Sequence, residues 1–311
     1  MSQTQPLHVA VGVIRDGDGR ILLTQRAKHA HQGGLWEFPG GKREADESIF
    51  EALQRELHEE VGIEVQSAKP LIKIHHQYPD LQVLLDVWQV THFSGLANAC
   101  EGQAMCWVEP QQLHEFSFPA ANRPIIAAAQ LPDRYAILEG QSIDEVLRNF
   151  NQIIEHNVSL LQLRIKSLPL TDIPAVYQSV YTTCQQRNIR LLINSDLPIA
   201  GSAIADGLHL SSRALMAAKV RPSGQTWVAA SCHNLDELKH AQNIGVDFVV
   251  VAPIFQTKTH PQTQALGMEK MTQLIEQINL PVFALGGLSL HDIESVNYAG
   301  GQGVAGISAF L

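Results

Sequence analysis

Three glutamates, Glu56, Glu59 and Glu60, lie three and four residues apart in a stretch whose apolar residues recur with helical period. Over the helix expected from Glu47 to Val61, Ile49, Ala52, Leu53 and Leu57 fall on one face at about 100° per residue. Glu56 and Glu60 project into that arc and Glu59 lies beside it, while Glu51, Gln54, Arg55 and His58 take the outer face. Like charges at this spacing cost about 0.2 to 0.5 kcal/mol per pair on an exposed helix, and considerably more once water is withdrawn. An inward-facing acidic cluster therefore needs a positive partner. A hard divalent cation, Mg2+ or Mn2+, suits carboxylate oxygens and keeps water-filled positions that phosphate oxygens can enter. Gly62 closes the helix as a left-handed cap, and Gly40-Gly41 ahead of it gives a loop whose backbone can approach a ligand closely. The competing reading is a solvated acidic helix, and the inward orientation weighs against it.

The elements around this helix form a mixed α and β unit. Apolar runs from His8 to Ile14 and Ile21 to Gln25 flank Asp-Gly steps that favour a tight turn, which predicts an antiparallel hairpin. Strand-like stretches follow around Leu71 to His75, Val83 to Val90 and Ala104 to Val108, and a short helix from Arg123 to Gln130 ends at Leu131-Pro132-Asp133. The pattern then changes to strand and helix in alternation, so the boundary is placed there, giving domains 1–131 and 132–311. Eight strand-like segments follow: 134–138, 160–165, 190–194, 207–210, 227–231, 248–255, 282–286 and 304–308, with helical stretches between them. This fits a closed (β/α)8 barrel, although about 180 residues is short for one. No residues remain for an eighth helix, so one flank must stay open, be covered by the first domain, or be covered by a second copy of the chain in a homodimer.

Composition narrows the function classes. The 311 residues carry 22 Lys and Arg against 31 Asp and Glu, a formal charge of -9, which argues against a duplex nucleic-acid binder with a broad basic face. A small anionic substrate remains compatible if carboxylates bind a cation that receives its phosphates. No apolar run approaches the roughly 20 residues that span a bilayer, and the amino terminus lacks a signal-type core, so a cytoplasmic protein without membrane partners is expected. Cys100, Cys106, Cys184 and Cys232 are too scattered for a zinc pair and are read as reduced thiols.

Gly41, Glu47 and the run Arg55-Glu56-Leu57-His58-Glu59-Glu60-Val61-Gly62-Ile63 occupy the fixed positions of the Nudix hydrolase signature, which this segment resembles in full. The resemblance implies a Nudix α/β/α sandwich and hydrolysis of a nucleoside diphosphate linked to another group. It further implies Mg2+ held by Glu56, Glu59, Glu60 and the Gly40 carbonyl, with Arg55 fixing Glu47. Gln25-Arg26-Ala27, Leu35-Trp-Glu-Phe-Pro-Gly-Gly-Lys42 and Phe118-Pro-Ala-Ala-Asn-Arg-Pro124 resemble the 8-oxo-dGTP diphosphatase (MutT-type) branch over residues 6 to 131. In that branch Asn122 would read the oxidised purine, Glu101 would join the metal site, and Arg26, His31, Glu37, Phe38, Gly41 and Lys42 match nucleotide-contacting positions. A carboxamide offers a donor and an acceptor side by side, enough for two hydrogen bonds to a purine edge. The competing use of Asn122 is as a cap for the helix beginning near Arg123-Pro124.

In the second barrel strand Gln162, Arg164 and Lys166 alternate with Leu161, Leu163 and Ile165, which directs the polar set toward the axis near the carboxyl end, where such barrels place ligand sites. Together with Leu192-Ile-Asn-Ser195, Asp206-Gly-Leu-His209, Ala252-Pro-Ile-Phe255, Gly286-Gly287 and Gly306-Ile-Ser308, the region resembles thiamine phosphate synthase and its thiazole tautomerase relative. The resemblance implies a phosphate-bearing ligand held by Gln162, Arg164, Lys166, Asn194, Gly287, Ile307 and Ser308. The sequence departs from the synthases at their metal-binding aspartates: one position is Ser195, and the other falls in Ser211-Ser-Arg-Ala214, which has no carboxylate. The tautomerase's catalytic His falls on Pro253. The barrel is therefore expected to bind a phosphorylated small molecule and to be degenerate as a synthase. The alternatives are a Nudix hydrolase of another diphosphate, such as thiamine diphosphate or ADP-ribose, a bifunctional enzyme with an active synthase, or a two-site ligand sensor without turnover.

Overall fold

The computed structural model describes residues 6–27, 32–79, 81–256 and 264–311, which divide into two compact units, Met1–Gln130 and Leu131–Leu311. The first unit holds β1 (Leu7–Ile14), β2 (Ile21–Gln25), β3 (Trp36–Glu37), β4 (Gly40–Lys42), α1 (Ile49–Val61), β5 (Glu64–Gln77), β6 (Gln82–Ser94), β7 (Met105–Val108) and α2 (Arg123–Gln130). They build a four-stranded sheet in the order β4-β1-β6-β5 and a three-stranded sheet β3-β2-β7. One apolar cluster joins Ala10, Ile14 and Leu22 to Ala52, Leu53 and Leu57 of α1; another joins Val11, Val13 and Leu23 to Ile125 and Ala128 of α2. The two-residue period of β1 and β2 thus feeds a helix layer on each side, the α/β/α sandwich. Gly12 permits the close approach of α1, since a Cβ there would meet Leu57 Cδ1 at 2.8 Å.

The expected hairpin does not form as paired strands. The turn is present, with the Asp16 carboxylate accepting from the backbone N–H of Asp18 and Arg20, but β1 and β2 share only the single bridge Arg15–Ile21 and then part into different sheets. Both edges of β1 are already taken, by β4 antiparallel and β6 parallel. The helix also starts later than expected, because Ser48 is its cap: Ser48 and Glu51 form a capping box that leaves Glu47 outside.

The second unit is a closed barrel of eight parallel strands: β8 (Arg134–Leu138), β9 (Leu160–Leu163), β10 (Arg190–Asn194), β11 (Gly207–Leu210), β12 (Trp227–Cys232), β13 (Phe248–Val251), β14 (Val282–Leu285) and β15 (Gly303–Gly306). Helices α3 (Ile143–Glu155), α4 (Ile173–Gln186), α5 (Ser212–Ala217), α6 (Leu235–Ile244), α7 (Gly267–Ile275) and α8 (Ile293–Tyr298) form its jacket. Three expectations need correction. β9 ends at Leu163, so Arg164 and Lys166 lie beyond the strand; β13 ends at Val251, just ahead of Pro253, which has no N–H to give a ladder. No helix joins β10 to β11, where turns fill residues 195–206. After β15 a single 3-10 turn, Ser308–Phe310, stands in place of a last helix, and its fully buried Phe310 packs with Ala136, Phe150 and Leu161. No helix among the described residues is long and apolar enough to cross a membrane.

Candidate functional site

The pairing of β4 with β1 sets Gly40 opposite Val11 and Gly41 opposite Ala10, under the helix that packs on the same strand. As a result the glycine loop meets the acidic face of α1. The Gly40 N–H donates to Glu60 Oε2 at 2.8 Å, and a Cβ added to Gly41 would run into the carboxyl group of Glu56. Gly40 itself has φ 148°, and a Cβ there would meet the backbone of Ala10 and Val11. The loop is therefore glycine for two reasons, conformation at the first residue and carboxylate contact at the second.

Burial raises the pKa of Glu60, the Thr24 and Gly40 dipoles oppose the rise, and the charges of Glu101 and Glu56 add to it. The Thr24 hydroxyl, buried in β2, has no other partner among the described residues and lies near this carboxyl. Glu101 is brought close by the loop after β6, which is tied to the end of α1 by Gln103 Nε2 and the Cys100 N–H donating to the Glu60 carbonyl. Glu59 is exposed.

Arg55 was expected on the outer face and is instead half-buried among the acids, because the long guanidinium stem folds back over its own helix. It donates to Glu47 Oε1 at 2.7 Å and Oε2 at 3.1 Å, to Glu56 at 2.8 Å, to Glu59 at 3.3 Å and to the Lys42 carbonyl at 3.0 Å. These bonds, Glu47 first, push its pKa up, and Arg55 with the Glu44 N–H holds Glu47 below the usual carboxylate range. Among the described residues no three acidic, imidazole or thiol groups already converge as a metal cage. The donor set nevertheless fits a hard cation: Glu56, Glu60 and Glu101 are mutually repelling oxygens beside an open glycine backbone, and Mg2+ uses one or two carboxylates with water and phosphate completing its shell.

Beyond the acids, Arg26 donates to Glu37 Oε2 at 2.7 Å, and its buried Nε has no hydrogen-bond partner among the described residues. Burial lifts Glu37 to about 7, against the pull of Arg26 and with the help of Glu60. Asn122 ends the 3-10 turn before α2; it is 7% exposed and its carboxamide joins no hydrogen bond among the described residues, so it does not cap the helix. Lys42 is exposed at the end of β4. Phe38 is 3% exposed and stacks on Phe118 at 5.6 Å, so its ring packs in the core. His31 lies outside the described residues.

Inside the barrel the inward positions of five strands, β8 to β12, carry a polar chain. Asn194 donates to Gln162 at 2.9 Å, Gln162 to the Tyr135 hydroxyl at 3.2 Å, and His209 joins Tyr135 at 2.9 Å to Ser231 at 2.8 Å. Burial, with the charge of Arg164 second, lowers His209 to about 3, so the imidazole is neutral. The sequence reading missed Tyr135, His209 and Ser231; the signal was their place one strand-period from the inward-facing apolar residues. At the mouth Arg164 pairs with Glu139, Lys166 is exposed, and Ile307 and Ser308 lie just past β15. Gly287, with φ 68°, is held against Phe255. A synthase-type metal does not fit this mouth. The Ser195 hydroxyl accepts from the Ser211 N–H at 2.9 Å, and the shifted carboxylate, Asp196, accepts from the Ser211 hydroxyl at 2.8 Å and from Arg213 at 3.3 Å.

Two family profiles match the chain: one described as NUDIX domain over residues 10–128, and one described as Thiamine monophosphate synthase over residues 134–310. The chain is 33% identical over 184 residues to a putative thiamine-phosphate synthase 2 of Aquifex aeolicus (strain VF5), covering 58% of this chain and 99% of that protein. It is 40% identical over 121 residues to an 8-oxo-dGTP diphosphatase of Escherichia coli (strain K12), covering 39% of this chain and 94% of that protein. A CTP pyrophosphohydrolase of the same organism is 39% identical over 118 residues, covering 38% of this chain and 87% of that protein. The chain therefore joins a Nudix pyrophosphohydrolase domain to a barrel that belongs to the thiamine monophosphate synthase family.

Proposed function

We propose that the Nudix domain hydrolyses 8-oxo-dGTP to 8-oxo-dGMP and pyrophosphate, removing a mutagenic precursor from the nucleotide pool. The observation that carries the substrate is Asn122, a carboxamide nine-tenths buried with its donor and acceptor both unspent, the pair that an oxidised purine edge can use. Glu56, Glu59, Glu60, Glu101 and the Gly40 carbonyl would hold a divalent cation, Mg2+ or Mn2+. When bound, such a cation neutralises charge on phosphoryl oxygens and acidifies water. Glu47 serves as the anchor of Arg55, which in turn holds Glu56 and Glu59 in place. Arg26 and Glu37 flank the nucleotide, Gly41 leaves room for the Glu56 carboxylate, and Lys42 offers a charge to the phosphates. The barrel binds a phosphorylated small molecule and has lost synthase activity, a reading supported by the serines and arginine at its mouth.

The test is a substrate panel of 8-oxo-dGTP, dGTP, CTP, ADP-ribose and thiamine diphosphate with Mg2+ and the full chain. Preference for 8-oxo-dGTP is expected; preference for ADP-ribose or thiamine diphosphate would overturn the assignment. A second reading, CTP as substrate, draws on the near-equal identity to the CTP pyrophosphohydrolase and is decided by the same panel. Glu59→Gln and Glu60→Gln should each lose turnover with the fold retained, and survival of activity in both would remove the metal assignment. Growth without thiamine of a synthase-deficient strain carrying the full chain would overturn the degenerate-barrel reading.

A further inference from the structure

β2 reads Ile21-Leu-Leu-Thr-Gln25, and its first three residues are fully buried apolar side chains. Thr24, 1% exposed, breaks that run with a hydroxyl. The strand register sets it between Glu37 of β3 and Met105 of β7, so the three side chains share one face of the sheet. Leu22, two residues back, lies on that face too, and both Leu22 and Met105 pack in the apolar cluster of Leu53 and Leu57. The hydroxyl is therefore carried to the side of the sheet that α1 covers. A valine would fill the same space, and a hydroxyl buried without a full hydrogen bond is disfavoured. The Thr24 Oγ1 makes no full hydrogen bond among the described residues; the group it faces is the Glu60 carboxyl, and the interaction favours the carboxylate.

The acids of α1 are held in two different ways. Glu56 is paired with the Arg55 guanidinium at 2.8 Å, whereas the Glu60 carboxyl meets neutral donors, the Gly40 N–H at 2.8 Å and, in looser geometry, the Thr24 hydroxyl. The backbone of Glu60 is fixed as well, its carbonyl accepting from Gln103 Nε2 at 2.8 Å and from the Cys100 N–H at 3.1 Å. A neutral donor orients a carboxylate without cancelling the charge that a cation needs, and removing such an outer partner of a metal ligand weakens metal binding. We propose that Thr24 is a positioning residue of the Nudix site: its hydroxyl donates to the Glu60 carboxylate and, with the Gly40 N–H, aims that group at the divalent cation. The inference rests on the reading of Glu60 as a metal ligand and adds the residue that orients it. In this role Thr24 acts through Glu60, and threonine stands in the apolar run of β2 for the site and not for the fold.

The experiment is a Mn2+ titration of the full chain without nucleotide, followed by the electron paramagnetic resonance signal of free Mn2+, on the parent, Thr24→Val, Thr24→Ser and Glu60→Gln. Thr24→Val keeps the branched shape and removes the hydroxyl, so affinity at the Mn2+ site that Glu60→Gln abolishes should fall about tenfold. Thr24→Ser keeps the hydroxyl and should stay within about threefold of the parent. Thr24→Val should also melt at or above the parent's temperature, read by tryptophan emission, since it takes a poorly bonded hydroxyl out of the core. Parent-like Mn2+ affinity in Thr24→Val, with loss in Glu60→Gln, would overturn this inference and leave the metal reading standing. Equal weakening in Thr24→Ser and Thr24→Val would assign the effect to packing of the methyl group and overturn it also, as would a melt several degrees lower in Thr24→Val. Unchanged binding in Glu60→Gln, or no binding by the parent, would overturn the metal reading and this inference together.

Discussion

Replacing Glu37 by Gln isolates a largely buried carboxyl beside Arg26. Its side chain is 25% exposed, its one ion pair among the described residues is with Arg26, and burial lifts it from 4.5 to about 7. The folded domain therefore holds this proton more tightly than the unfolded chain does. The stability linked to it is fully present below about pH 4.5 and is lost as pH rises through about 7, after which it stays level. A rise of that size corresponds to about 3 kcal/mol, close to an upper bound because the pair with Arg26 retains some contact with water. Glu37→Gln removes the titration, so its stability relative to the parent should match near pH 4 and climb to a gain of about 2 to 3 kcal/mol by pH 8. Urea unfolding at one-unit pH steps measures this, and tryptophan emission reports the domain because Trp36, Trp88 and Trp107 lie in it and Trp227 alone lies in the barrel. A difference that stays flat from pH 5 to 8, or that grows toward acid, would refute the buried-carboxyl argument.

Asn122→Ala should reduce kcat/KM for 8-oxo-dGTP by about tenfold to a hundredfold while leaving dGTP turnover within a few-fold, since two base-directed hydrogen bonds are lost; equal loss for both nucleotides would count against base reading. Gly41→Ala and Gly40→Ala should separate activity from stability. The first displaces the flexible end of Glu56, costing turnover and less than about 1 kcal/mol of stability, whereas the second drives a Cβ into backbone at a strained φ and should cost about 2 kcal/mol or more. Thermal melts and steady-state rates on the two variants read both effects. His209→Gln should flatten the acid limb of barrel unfolding. His209 titrates at about 3 when folded and 6.5 when free, so its stabilisation is present above 6.5 and is lost as pH falls toward 3; an unchanged acid limb measured by Trp227 emission would argue against a neutral buried imidazole.

The acidic grouping on α1 was legible because local spacing is enough to place Glu56 and Glu60 with Leu53 and Leu57 on one arc, and a helix preserves that relation whatever it packs against. The eight barrel strands were legible for the same reason, each being a short apolar run between turns. The hold of Arg55 on Glu47 was implied by the motif resemblance but not by the helical period: its backbone faces outward, and only the flexible stem, drawn by four carboxylate bonds, brings its charge inward. The hairpin failed because local turn chemistry cannot tell which neighbours compete for a strand edge, and β1 had two better-paired partners from distant sequence. The sequence by itself thus determined which residues share a face and which chemistry they suit. Only the tertiary structure decided that Gly41 meets Glu56, that Asn122 is buried with its hydrogen bonds unspent, and that Arg213 sits on Asp196 in the barrel mouth. Each of these is a contact between segments far apart in the chain or a matter of side-chain reach, and neither is encoded in a local period.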